Sequence, residues 1–334
     1  MAVTQLADVV YGPLFLPATI QRTTILSTLR TSGIATDDPD ISRFAQAPGD
    51  IVELPFWTDI TGDSNVSSDD PSVLAVPQAI VQGHDVTRKI RRNNSFQASN
   101  LVSALLTEDP LNVIAQLIAE YWVREEQKIL INILTGVFAS ADMSGNMLDV
   151  ATDTIGNTNV FLTPETASEA LALLGDHGQL LTAVMMHSRV YWNLTAQRAL
   201  TVGRDPVTGQ EFTDWEGRRV IVNDQCPRAT GSVSGFEYTS YFFGQGALAY
   251  AECTGTAGPK KPVEIFSLAA GGNGEGVETL FYRRHFLMHP RGVQFNSYSI
   301  AGESATNAEL ATGTNWTRVY DPKNVRVVAI TTNG

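Results

Sequence analysis

Residues 109–138 read DPLNVIAQLIAEYWVREEQKILINILTGVF, and no other stretch limits the fold as much. Asp109 can cap a helix N-terminus, and Pro110 suits the first helical position, where the missing N–H costs nothing. Gly136 stands where a C-terminal stop is expected. The run between them predicts one helix roughly 40 Å long. Its polar residues fall at helical spacing on one stripe: Asn112, Gln116, Glu120, Arg124, Gln127 or Lys128, Asn132 and Thr135. Leu111, Ile114, Leu117, Ile118, Tyr121, Trp122, Ile129, Ile133 and Leu134 take up the rest of the circumference. So narrow a polar stripe requires other elements along the whole rod, with Trp122 and Ile129 buried beneath them.

The chain has 334 residues, of which 43% are hydrophobic, enough for one large or two ordinary cores. No apolar run reaches the ~18 residues that span a bilayer, and the N-terminus lacks the pattern of a secretory signal. Two cysteines, Cys226 and Cys253, make neither a disulfide framework nor a zinc site. The formal net charge of −12 argues against general nucleic-acid binding, since such a surface repels phosphate.

Residues 1–47 read as an opening arm, too broken by Gly12, Pro13, Pro17 and Gly33 to fold alone. Residues 48–99 read as a long hairpin. Asp50–Thr58 is strand-like, residues 59–71 form a turn-rich tip, and Val73–Ile90 is the returning run. Pro55, Pro71 and Pro77 keep these strands out of a central sheet position. The tip is acidic (Asp63, Asp69, Asp70) and the base basic (Arg88, Lys89, Arg91, Arg92). On one molecule this is solvated charge; in an assembly the polarity fits tip-to-base contacts between copies. Residues 100–159 hold the long helix, 109–138, and a Gly/Asn/Asp-rich link. Residues 160–285 alternate strand and helix as one mixed α/β sheet domain. There Thr163 and Pro164 open a helix, Ser188 caps another, and Pro262–Ala269 pairs with Val277–Met288. Residues 286–334 return over the long helix.

Sites of chemistry are weak. Gly244-Gln-Gly246 follows a strand, but strand-like residues follow it, so a dinucleotide would lack its helix N-terminus. Residues 271–276 (GGNGEG) lack the Lys-Ser/Thr of a phosphate loop. His285 and His289 stand four apart in an extended run and read as structural. Residues 231–235 (GSVSG) place serine at the wrong offsets for a nucleophile elbow, and Cys226 has no histidine neighbour. No catalytic, cofactor or metal site is expected.

Seven stretches in order across the chain carry a resemblance: LPFWTDITGD (54–63), DPLNVIAQLIAEYWVREEQ (109–127), LTAVMMHSRVY (181–191), GRRVIVND (217–224), YTSYFFGQGALAY (238–250), RRHFLMHPRGVQF (283–295) and TNAELATGTNWTRVYDPKNVRVV (306–328). With the order of parts, they resemble the major capsid proteins of tailed bacteriophages, and within them the Gp thirteen-like prophage major capsid family. The resemblance implies the α+β Hong Kong 97 capsid fold: N-terminal arm, extended loop, peripheral domain with a spine helix, and mixed α/β axial domain. It implies a shell of hexamers and pentamers around double-stranded DNA, in the virion capsid, assembled in the bacterial cytoplasm. The implied partners are further copies, a portal protein, a decoration protein and packaged DNA without sequence-specific binding; no membrane partner is implied. No long charged helical segment precedes the arm, so a separate scaffolding protein is expected. Some relatives crosslink copies through a loop lysine and an asparagine. The tip here has no lysine, and Lys89 lies at the base, so no covalent shell is expected. An encapsulin-like nanocompartment is the alternative of the same fold, and an α/β enzyme the more distant one.

Overall fold

The computed structural model describes residues 35–36 and 39–334, apart from 61, 68, 71, 73, 76, 106–109, 152–159, 205–210, 232–234 and 297–299. The Asp109 cap, residues 1–34 of the expected arm, and the side chains of Leu111, Asn112 and Gln116 lie outside the described residues.

The described residues open with a short strand β1 (Ala35–Thr36) and helix α1 (Pro39–Gln46). A hairpin, β2 (Ile51–Trp57) and β3 (Gln82–Arg88), leads into β4 (Ile90–Ser99) and helix α2 (Asn100–Leu105). The long helix α3 follows over Pro110–Ala139, with proline at its first position as expected. Then come β5 (Met147–Asp149), α4 (Pro164–Ala172), β6 (Leu181–Met186) and α5 (Ser188–Ala196). Strands β7 (Thr201–Arg204), β8 (Glu211–Trp215), β9 (Arg218–Val222), β10 (Arg228–Thr230) and β11 (Phe236–Gly244) complete that section. Next are β12 (Leu248–Glu252), β13 (Val263–Leu268), β14 (Val277–Pro290) and β15 (Val293–Phe295). The chain ends with α6 (Asn307–Leu310), β16 (Trp316–Arg318) and β17 (Val327–Asn333).

Helix α3 is covered on successive lengths by two sheets. Its N-terminal half lays Ile114, Ile118, Tyr121 and Trp122 on Phe96 of β4 and on Leu280 and Tyr282 of β14. Trp122 is 2% exposed, with its ring 5.6 Å from Tyr282. The C-terminal half, Ile129 to Phe138, enters the largest core with residues of β6, β11, β12, β14 and β17. Lys128 is exposed while Gln127 and Glu126 are buried, so the polar stripe is interrupted where both sheets meet the helix. Gly136 does not stop the helix; α3 runs through it to Ala139. A Cβ there would come within 2.0 Å of the Leu310 carbonyl oxygen, so the glycine admits the returning segment instead.

The five-stranded sheet has the order β1-β12-β14-β13, with β4 on the other side of β14. Strand β14 is shared between partners, with β13 beside its first half and β12 beside its second. Alternation assigns Phe286 and Met288 to the α3 core and Leu287 to a core under α1 and β2. The second sheet runs β5-β17-β11-β6-β9-β8-β7, with β10 beside β11. Its middle strands are buried on both faces. Val327 and Ala329 face α3, whereas Val328 and Ile330 join the core that holds α4 and α5 residues.

Four expectations are corrected. Residues 160–285 do not share one sheet, because β12, β13 and β14 pair with each other and with β4. The final strand does more than cover α3. It lies between β5 and β11, where four consecutive apolar residues, Val327–Ile330, are all buried. The returning run of the hairpin is a strand from Gln82 rather than Val73; beyond the ladder, which ends at Trp57 and Gln82, the Thr58 N–H still donates to the Val81 carbonyl at 3.0 Å. Helix α5 is capped by His187, whose Nδ1 accepts from the Arg189 N–H at 3.1 Å, and Ser188 is its first residue. Thr163 caps α4 as expected, in a reciprocal box with Thr166.

Candidate assembly surfaces

The hairpin ribbon is seven residues long on each strand, about 20 Å at the usual strand rise. It is fixed at its root by a buried carboxylate. Asp85 Oδ2 accepts the Gly292 N–H at 2.9 Å, and Oδ1 lies 2.9 Å from His289 Nε2, both side chains being buried. Phe56 packs edge-on against Tyr320 with centroids 4.5 Å apart. Gly83 leaves room for Phe56, whose ring would sit 2.4 Å from any Cβ there.

The basic residues at this root have partners within their own chain. Arg88 Nη2 donates to the Glu303 carbonyl at 2.7 Å. Arg91 pairs with Asp50. Arg92 donates to the Ala305 carbonyl at 2.6 Å and to Asn307 Oδ1 at 3.1 Å. Burial pushes the Arg92 pKa down, against the opposing pull of Glu125 and Glu309. Lys89 corrects the sequence expectation most clearly. It is only 2% exposed and its amine donates to the Ala47 carbonyl, so it faces inward and offers nothing to a neighbour. Nothing local in the run of cations gave a sign that residues 303–307 and Asp50 would fold onto it.

At the other end Asp63, Asp69 and Asp70 are exposed. Asp70 accepts from the Ser72 hydroxyl at 2.6 Å and the Ser72 N–H at 2.8 Å, and these bonds lower its pKa. Beside these carboxylates stand Trp57, Ile60, Val66, Leu74, Ile80 and Val81, all exposed. The charge-based reading missed them. The signal was the hairpin itself: a two-stranded ribbon has no layer to cover its apolar side chains, and clustered exposed apolar groups mark interaction surfaces.

The remaining candidates are structural. Gly244 ends β11, and Gly246, at φ +68°, turns the chain into β12 with no helix following. Residues 271–276 close the β13–β14 hairpin, with Gly272, Asn273, Gly274 and Gly276 at positive φ. His285 Nδ1 lies 3.3 Å from the Ala257 carbonyl. Residues 232–234 of the GSVSG stretch lie outside the described residues. Among the described residues no group of three or more His, Cys, Asp or Glu side chains could hold a metal ion, and no helix is long and apolar enough to cross a membrane. Both cysteines are buried. Burial and nearby Asp224 push the Cys226 thiol up to about 12, and burial also raises that of Cys253. Neither thiol should react with a disulfide reagent at about pH 8 until the subunit is unfolded, because the thiolate is the reactive form. One stoichiometric, fast-reacting thiol in the native subunit would contradict this burial.

No family model matches the chain. It is 39% identical over 330 residues to the major capsid protein of Bacillus phage SPP1, covering 98% of each chain. Two solved structures share the fold. The capsid of Ralstonia phage GP4 aligns with TM-score 0.64 at 10% identity, over 99% of this chain and 97% of that one. The capsid asymmetric unit of cyanophage Pam1 aligns with TM-score 0.62 at 12% identity, over 98% of each.

Proposed function

This chain belongs to the tailed-phage major capsid proteins, and we propose that its hairpin joins copies into the closed icosahedral shell around the double-stranded DNA genome. It is a structural subunit of the virion capsid with the Hong Kong 97-like fold. The observation that carries the shell mechanism is the hairpin: a rooted ribbon that holds exposed apolar and acidic residues away from the core. Such a surface is costly on a solitary protein and useful on a subunit covered by neighbours. Asp63, Asp69 and Asp70 serve as contacts to another copy, and Arg91, with its side chain 41% exposed, is the most accessible cation at the root. Each exposed ion pair contributes only about 0–1 kcal/mol, but a shell repeats it many times.

In this reading copies gather as hexamers and pentamers in the host cytoplasm. A separate scaffolding protein guides them, a portal protein occupies one vertex, and a decoration protein binds the finished surface. The acidic balance of the chain suits DNA packaged without sequence-specific contacts. The test is electron microscopy of the protein expressed with and without the neighbouring phage genes. Closed particles of uniform diameter are expected with the scaffold gene, and they should dissolve into monomer-sized bands on boiling in detergent. Folded subunits that never form particles would refute the shell mechanism. A covalent ladder would refute the uncrosslinked shell.

A further inference from the structure

The glycine-rich turn between β13 and β14 contains the pair Asn273-Gly274, and the chain has one other such pair, Asn333-Gly334. In each, the asparagine carboxamide stands beside a backbone N–H that no side chain shields, because glycine has no Cβ. The fold holds the two pairs very differently. Asn333 is 5% exposed in β17, and its backbone is paired with Glu237 of β11. Its Oδ1 accepts the Val160 N–H at 3.2 Å, and its Nδ2 donates to the Phe236 carbonyl at 3.5 Å. Asn273 is exposed, and its side chain makes no hydrogen bond among the described residues.

The backbone at Asn273 is left-handed, with φ +59° in the one-letter run GGNGEG, between Gly272 at φ +63° and Gly274 at φ +98°. Asparagine tolerates these torsions better than most residues, but not without cost. No atom lies within 4 Å of a Cβ at Gly274, so the chain has room to rotate there. The turn is closed outside the pair. The Gly276 N–H donates to the Gly271 carbonyl at 2.9 Å, and the Asn100 N–H donates to the Gly276 carbonyl at 3.1 Å. Rotation at residues 273 and 274 therefore leaves the pairing of β13 with β14 in place.

We propose that Asn273 is a site of spontaneous deamidation through a cyclic imide with Gly274. The Gly274 amide nitrogen gives up its proton and bonds to Asn273 Cγ. The Cγ–Nδ2 bond breaks, and Nδ2 leaves as ammonia with that proton. Water then opens the five-membered imide at one of its two C–N bonds. Opening at Cγ gives aspartate; opening at the backbone carbonyl gives isoaspartate, whose main chain runs through the side-chain methylene. The net reaction consumes one water and releases one ammonia, and it needs no oxidant or cofactor. Each event adds one negative charge to a chain whose formal net charge is −12. The new carboxylate stands next to exposed Glu275, at the end of the exposed apolar strand β13. The reaction belongs to the single subunit and does not depend on the shell-subunit reading.

The test follows folded, unassembled subunits in mildly alkaline buffer. Mass spectrometry reads the peptides that contain residues 273 and 333 over time, and a methyltransferase specific for isoaspartate reads that product. Asn273 should convert to a mixture of aspartate and isoaspartate several-fold faster than Asn333. Its rate should rise with pH, because the attacking nitrogen must lose its proton. In denaturant the gap between the two asparagines should narrow, since the fold no longer holds Asn333. Asn273→Gly suits the left-handed torsions and removes the carboxamide, so it should abolish the acidic shift that isoelectric focusing detects in the aged wild type. Asn273 that stays intact as long as Asn333 in folded subunits would overturn the proposal. Aspartate formed without isoaspartate would also overturn it, because direct hydrolysis bypasses the imide. An acidic shift that persists in Asn273→Gly would place the reaction elsewhere, and a gap unchanged by denaturant would remove the structural cause.

Discussion

Gly136→Ala is expected to destabilise the subunit by about 3 kcal/mol, although alanine is the better helix former by about 1 kcal/mol. The sign reverses because of what returns against α3. The added methyl would lie 2.0 Å from the Leu310 carbonyl oxygen and 2.5 Å from Trp316 Nε1. Those two atoms form a buried hydrogen bond of 2.8 Å, so the methyl enters the place where they meet. One neighbour is backbone and cannot rotate away. Gly313 repeats the arrangement from the other side, since a Cβ there would come 2.3 Å from the Ala139 carbonyl. Ser140 Oγ also donates to the Trp316 carbonyl at 2.8 Å and holds the same approach. Gly145→Ala serves as the control, because no atom lies within 4 Å of a Cβ at that position. The measurement is the denaturant midpoint of unassembled subunits. A Gly136→Ala midpoint at or above that of the wild type would refute the close approach.

Gly136 shows where the sequence was legible and where it was not. The existence, length and start of α3 follow from local signals: Pro110, an uninterrupted helical period, and no glycine before Gly136. The threonine-capped starts of α4 and α6 are equally local, each closed by a reciprocal box. Whether a glycine ends a helix or admits a neighbour depends on residues 310–316, far along the chain. The sheets divide in the same way. The strand character of Val277–Met288 is visible in its composition, but its pairing with β4 joins residues as far apart as Ile90 and Phe286, and no local pattern encodes it. Lys89 was placed on the surface because lysine usually is. It went inside because the Ala47 carbonyl meets its amine there. At the hairpin, charge drew attention to the carboxylates, whereas the larger exposed surface belongs to Trp57, Ile60, Leu74 and Ile80.

The second large effect concerns a charge that sequence periodicity would not place in a core. Glu126 lies on the buried side of α3, with its side chain 10% exposed, and pairs with Arg284 of β14. Tyr250 Oη donates to the same carboxylate at 3.3 Å, and Arg284 also reaches Glu252. Burial alone would lower the Arg284 pKa. Glu126, Tyr250 and Glu252 more than offset it and hold the pKa above its usual value. Arg284→Ala removes the cation and leaves Glu126 desolvated between helix and sheet, so it is expected to cost about 3–5 kcal/mol. Glu126→Leu should cost less, because Arg284 keeps Glu252, whose side chain is 48% exposed. The double replacement Glu126→Leu with Arg284→Met should approach wild-type stability, since well-packed apolar residues often replace a buried pair at little cost. A double-mutant cycle on unassembled subunits separates these terms. If the double variant is as unstable as the sum of the two single variants, the charges do not act as a pair. In that case α3 would be held to β14 by packing alone, through Trp122 and Tyr282.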